Sequence, residues 1–120
     1  MKDQDIIDLL NKEAKKCKSL ECDGTTKVLS YILNKNNIKH SVCVGELLSF
    51  NDKEKIPFHY WIVLENGLYV DYKAQMWLNE KAPNGVFRII DYPDYYYNLF
   101  TEILDNYIDD ITYHVLTKVF

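Results

Sequence analysis

The stretch FHYWIVLENGLYVDY, residues 58–72, decides the fold. Two runs rich in β-branched and aromatic residues, Phe58 to Leu64 and Leu68 to Tyr72, flank Asn66-Gly67. An Asn-Gly pair between such runs is a strong hairpin signal, because both residues tolerate the backbone of a tight turn. Side chains alternate along a strand, so loop length decides which of them share a face. A two-residue loop, Asn66-Gly67, would pair Ile62 with Asp71 and set His59 and Asp71 on opposite faces. A three-residue loop, Glu65-Asn66-Gly67, pairs Leu64 with Leu68 and Trp61 with Asp71. His59 then pairs with Lys73, and His59 and Asp71 are diagonal neighbours on one face. Gly67 suits the left-handed third position of such a loop. Any joint role for His59 and Asp71 therefore requires an odd number of loop residues.

Upstream of the hairpin, residues 38–49 read as a strand and the polar NDKEKIP, residues 51–57, as a loop. Further back, Ile6, Ile7, Leu10, Ala14 and Cys17 recur at helical steps, which predicts an amphipathic helix over residues 3–17. A second helix is predicted from about Thr25 to Lys35, with Val28, Leu29, Ile32 and Leu33 as its buried stripe. Asp23 and Thr25 are competent N-caps, and Asn36-Asn37 closes the helix. Downstream, Ala74 to Leu78 reads as a short turn or edge element and Val86 to Ile90 as a strand. The steps Leu99/Phe100, Ile103/Leu104 and Tyr107/Ile108 predict a helix over residues 96–109. The β-branched tail from Ile111 to Val119 reads as a last strand, a continued helix being the alternative. These elements predict an α+β class, with N-terminal helices packed on an antiparallel sheet.

The 120 residues, without repeats or Pro/Gly/Ser linkers, fit one domain spanning residues 1–120. A 48% hydrophobic and 14% aromatic composition supports a folded core and excludes a disordered chain. The net charge of −4 argues against nucleic acid or an anionic membrane as the main partner. Acids within MKDQDIIDLL stand where a secretory leader would carry apolar residues, and no apolar run reaches a membrane span, so a cytoplasmic location is expected, release without a visible signal being the alternative. Cys17, Cys22 and Cys43 are odd in number and form no CxxC pair, which argues against a zinc site or a disulfide framework. No Gly-rich phosphate loop or dinucleotide fingerprint appears, so neither metal nor cofactor is expected.

Three residues stand out chemically. Cys22 opens a helix, where free backbone N–H groups and the helix dipole stabilise a thiolate and can hold an oxyanion. Its bland reading is a small buried hydrophobe. His59 begins a strand among Phe58, Tyr60 and Trp61, which can exclude water from it, and His is the usual base for a thiol. Its bland reading is a half-buried structural histidine. Asp71 lies late in a strand, where acids are depleted; it either orients a histidine ring or is a satisfied structural carboxylate. Tyr60, Trp61 and Asp23 are the neighbours expected to contact substrate. Cys17 and Cys43 sit at core positions, His40 and His114 read as strand residues without catalytic duty, and Glu102, Asp105, Asp109 and Asp110 as a solvated face. Tyr92, Tyr95, Tyr96 and Tyr97 read as a packed loop or a binding rim.

Taken together, ECDGTTKVLSYIL, KHSVCVG and FHYWIVLENGLYVDY resemble the transglutaminase-like branch of the papain-like cysteine-enzyme superfamily. The likeness rests on a Cys opening a helix, a strand ending near a Gly, an HxW strand, a short turn and an Asp strand, over residues 21–72. It implies a papain-like core, Cys22 as nucleophile, His59 as base and acid, and Asp71 as the residue that orients the ring.

Two functions follow as expectations. The first is a thiol-dependent acyl-transfer enzyme acting on a protein or peptide through a covalent acyl-enzyme, by hydrolysis, deamidation or transfer to an amine. The second is a catalytically weak or inactive module on the same fold that binds a protein, such as a phage or bacterial effector or inhibitor, a host protein being the candidate partner. The negative charge of Asp23 beside the thiol opposes thiolate formation, and no Gln occurs in residues 16–21 to complete an oxyanion hole; both favour the second reading.

Overall fold

The computed structural model describes residues 2–104 and 107–118. The predicted first helix is α1, Asp3–Ala14, continued by a 3-10 turn, Lys15–Cys17. Helix α2, Cys22–Lys35, starts three residues before the expected Thr25. Its N-cap is Glu21, without a side-chain cap, so neither Asp23 nor Thr25 takes that position. Asn37, at φ 56°, makes the expected left-handed exit. Strands β1, His40–Ser49, and β2, Lys55–Leu64, follow, then β3, Tyr69–Asp71. A short helix α3, Ala74–Trp77, leads to β4, Gly85–Phe87.

The C-terminal third departs from the expectation. Residues 95–103 form strand β5, Tyr95–Ile103, and the tail forms helix α4, Asp110–Thr117. Strand β5 is held by its antiparallel ladder with β1, and pairing partners far away in sequence override the local helical spacing. The ladder shifts register between Val44/Gly45 and Thr101/Leu99, which makes Phe100 an extra residue. Such a bulge breaks alternation, so Leu99 and Phe100 are both exposed and mimic one step of a helical stripe. Helix α4 starts on Asp109, whose carboxylate accepts from the Thr112 N–H at 2.7 Å. His114 is therefore an exposed helical residue rather than a strand residue. Tyr113 anchors the helix. Its ring stacks on Tyr31 at 4.4 Å, and its hydroxyl sits 3.0 and 2.9 Å from the two Glu13 carboxylate oxygens.

Among the described residues the strands form one antiparallel sheet in the order β4-β3-β2-β1-β5. This is the expected α+β class, and helices α1 and α2 pack on the sheet. Ile6, Leu10, Leu29 and Leu33 meet Val42, Ile62, Leu64 and Val70 in one buried cluster. A second cluster gathers Cys43, Trp61, Phe87, Tyr95 and Tyr97. No helix of the described residues is long and apolar enough to cross a membrane.

The β2 strand begins earlier than expected, and residues 55–57 belong to it rather than to the loop. Pro57 is tolerated because the β1–β2 ladder shifts register there: His59 faces Gly45 while Ile56 faces Leu47, which leaves Pro57 and Phe58 opposite Glu46 alone. The bulge immediately precedes His59. Gly45 is needed at this point, since a Cβ there would lie 2.0 Å from the Asn98 carbonyl oxygen of β5. Gly45→Ala is expected to destabilise the chain by about 3 kcal/mol, as overpacking between fixed backbones does. The midpoint of urea unfolding checks it.

Candidate active site

The hairpin has the odd loop. Val63 faces Tyr69 and Ile62 faces Val70, the Leu64 N–H donates to Leu68 O at 2.8 Å, and Gly67 sits at φ 88°. Ile62 is therefore opposite Val70 and not Asp71, and the same register puts His59 and Asp71 on one face. The two side chains meet. His59 Nε2 lies 2.7 Å from Asp71 Oδ2, and both residues are buried.

Asp71 is held from every side. The Tyr97 hydroxyl donates to Oδ2 at 2.8 Å, while the backbone N–H groups of Lys73 and Ala74 donate to Oδ1 at 3.0 and 3.1 Å. A buried carboxyl group is expected to have its oxygens hydrogen-bonded, and here both are. The rings of Trp61 and Tyr97 lie 6.2 and 6.4 Å from the imidazole, so neighbours fix its plane as well as its polar edge.

The second nitrogen, His59 Nδ1, is buried and has no hydrogen bond of regular geometry. Nε2 being occupied by Asp71, Nδ1 is the nitrogen left for Cys22. Burial opposes charge on the imidazole, but the Asp71 carboxylate, by attraction and hydrogen bonding, and then the Cys22 sulfur raise its pKa from 6.5 to about 9. Cys22, the first residue of α2, is partly exposed. Cys17 and Cys43 are core residues, and burial, as the leading cause, pushes each of their thiols up to about 11. The fold thus separates one accessible thiol beside a histidine from two buried, inert ones.

A cleft of about 390 Å³ opens over Cys22, with Glu21, Asp23, Phe58, Tyr60 and Trp77 on its walls. Tyr60 and Asp23, two of the residues expected to contact substrate, line this cleft. Trp61, the third, does not: it is 2% exposed and packs beneath His59, because alternation along β2 sends residues 59 and 61 to the same buried face. Trp77, 54% exposed, supplies the indole at the cleft instead. Sequence reasoning missed Trp77, which sat in an undifferentiated turn, and saw Tyr97 only within a packed loop or binding rim, not as a partner of Asp71. The alternation of Tyr95 and Tyr97 was the available signal, since in a strand both face one side, and both are buried. Tyr96 between them is exposed, and Tyr92 packs on Phe87.

The remaining polar candidates are accounted for locally. His40 Nε2 lies 2.7 Å from Ser30 Oγ, and its Nδ1 lies 2.8 Å from the Ile38 carbonyl oxygen. Asp110 accepts from Tyr31 and pairs with Lys35, Asp109 caps α4, and Glu102 lies exposed on β5. Asp105 lies outside the described residues. Among the described residues no group of three or more His, Cys, Asp or Glu is placed to hold a metal ion. Comparison with protein-family models, with curated proteins and with solved structures returns no match for the chain.

Proposed function

We propose that the protein is a thiol-dependent acyl-transfer enzyme that uses Cys22, His59 and Asp71, as in transglutaminase-like and papain-like enzymes. One observation carries this reading: a buried imidazole fixed by a fully bonded carboxylate on Nε2 and acted on by the lone accessible thiol among the described cysteines. A structural His–Asp pair has no need of an unbonded, buried Nδ1 beside a cysteine. In the reaction the Cys22 Sγ–H proton passes to His59 Nδ1, and Sγ forms a bond to the acyl carbon. The carbonyl electron pair moves to oxygen. When the tetrahedral adduct collapses, the C–N bond breaks and the leaving amine takes the proton from His59. Water or another amine then attacks the thioester, giving a proton to His59, and the Cys22 sulfur recovers it. Asp71 holds the ring in register and favours the imidazolium. The N–H groups of Cys22 and Asp23, first-turn donors of α2 without intrahelical acceptors, are the donors this reading assigns to the oxyanion.

The competing reading, a protein-binding module, is favoured by the carboxylate of Asp23 directly after the thiol, which opposes negative charge on sulfur. That carboxylate accepts from the Gly24 N–H at 2.8 Å, which draws off part of its charge. Para-nitrophenyl acetate separates the two. The enzyme reading expects an acetyl thioester on Cys22, seen by mass spectrometry after acid quenching, discharged by hydroxylamine and absent from Cys22→Ala. An unmodified Cys22 under the same conditions leaves the binding module.

A further inference from the structure

The cleft over Cys22 has an unusual lining. Its ionisable carboxylates are Glu21 and Asp23, and it contains no basic residue. The Glu21 side chain forms no hydrogen bond or ion pair among the described residues, and Asp23 accepts only from the Gly24 N–H. Facing them are the rings of Phe58, Tyr60 and Trp77; Phe58 and Trp77 are more than half exposed at 59% and 54%. Large aromatic side chains left in water beside unpaired carboxylates form a surface that suits one class of group, an organic cation. The carboxylates supply attraction and the ring faces add cation–π contact once the cation leaves water. A neutral apolar side chain would use the rings but strand both carboxylates.

A second cleft, of about 730 Å³, borders the first at Glu21 and Asp23. Leu20, Met76, Ile108 and Leu116 give it an apolar lining, and Lys27 is its basic residue. The two clefts share Glu21 and Asp23 and draw Met76 and Trp77 from the same short helix α3. Cys22 lines the first cleft, between the two residues in sequence that both clefts share. A small acyl compound needs only one of them; an extended chain uses both. Lys27 disfavours a cation in the second cleft and so assigns the cation to the first.

We propose, resting on the acyl-transfer reading above, that the substrate is an extended peptide segment that crosses Cys22 with a Lys or Arg side chain between Glu21/Asp23 and the rings of Phe58, Tyr60 and Trp77, and an apolar side chain in the cleft beside Met76. The test is binding, read by the fluorescence of the exposed Trp77, so that it does not depend on catalysis. The full chain is titrated with acetyl-Leu-Leu-Arg-amide and with the same peptide carrying citrulline, the neutral isostere, in place of Arg. The Arg peptide is expected to bind at least tenfold more tightly, and Glu21→Gln with Asp23→Asn is expected to make the two peptides equal. Both substituted residues are exposed, so the fold is not at stake. Equal binding by the wild-type chain, no binding of either peptide at millimolar concentration, or a preference that survives the double substitution would each overturn the proposal. If the preference holds while no acetyl thioester forms on Cys22, the groove stands and the acyl-transfer reading falls.

Discussion

Replacing His59 by alanine is expected to slow acyl transfer from para-nitrophenyl acetate to Cys22 by a hundredfold or more, the usual worth of a positioned general base. Alkylation by iodoacetamide should fall as well, by about tenfold at pH 7. Without the ring, nothing holds the thiol proton while the sulfur attacks. Because His59 fills a buried site, His59→Asn gives a smaller cavity, and circular dichroism of both variants checks that the fold persists. Cys17 and Cys43, buried and with thiols pushed to about 11, should stay unlabelled in every chain.

Asp71→Ala should be the most destabilising substitution at the site, costing about 3–5 kcal/mol. It removes the acceptor of four groups at once: His59 Nε2, the Tyr97 hydroxyl and the backbone N–H groups of Lys73 and Ala74. Each is then left without its partner in a place with little water. Tyr97→Phe removes one of these bonds and should cost about 1 kcal/mol. The pH dependence of unfolding carries the same signature. The folded imidazole, at about 9, lies above its unfolded value of 6.5. Protonation therefore favours the folded chain. The contribution is fully present below pH 6.5 and disappears as pH rises to about 9. In Asp71→Ala the carboxylate is gone and burial pushes the ring toward its neutral form, so this loss with rising pH should shrink or reverse.

The sequence made one half of this molecule legible and misled in the other, for identifiable reasons. Around the hairpin, local signals and tertiary structure agree: Gly67 permits the three-residue loop, alternation fixes the faces, and the parity argument alone brings His59 to Asp71. Helices α1 and α2 announced themselves through apolar stripes because both lie on a sheet and bury one side. The C-terminal third fails on two counts. The bulge at Phe100 cancels alternation in β5, and the exposed Leu99 and Phe100 then imitate helical spacing. In the tail, β-branched composition outweighed the Asp109 cap, although the cap and the contacts of Tyr113 with Glu13 and Tyr31 decide the outcome. Within the site, the same error hid Tyr97: a residue assigned to a helix cannot be placed by strand alternation, so its bond to Asp71 was invisible. Trp61 illustrates the opposite case. Its proximity to His59 in sequence was clear, but the two-residue period makes it the floor of the site rather than its wall.

Catalysis by this site requires that the Cys22 sulfur and the His59 ring act on each other. Ring-nitrogen chemical shifts of His59, followed by NMR across pH in the wild type and in Cys22→Ala, measure this directly. The imidazole is expected to keep its proton to about pH 9 in the wild type and to release it at lower pH when the sulfur is removed. Superimposable titration curves for the two chains would contradict it.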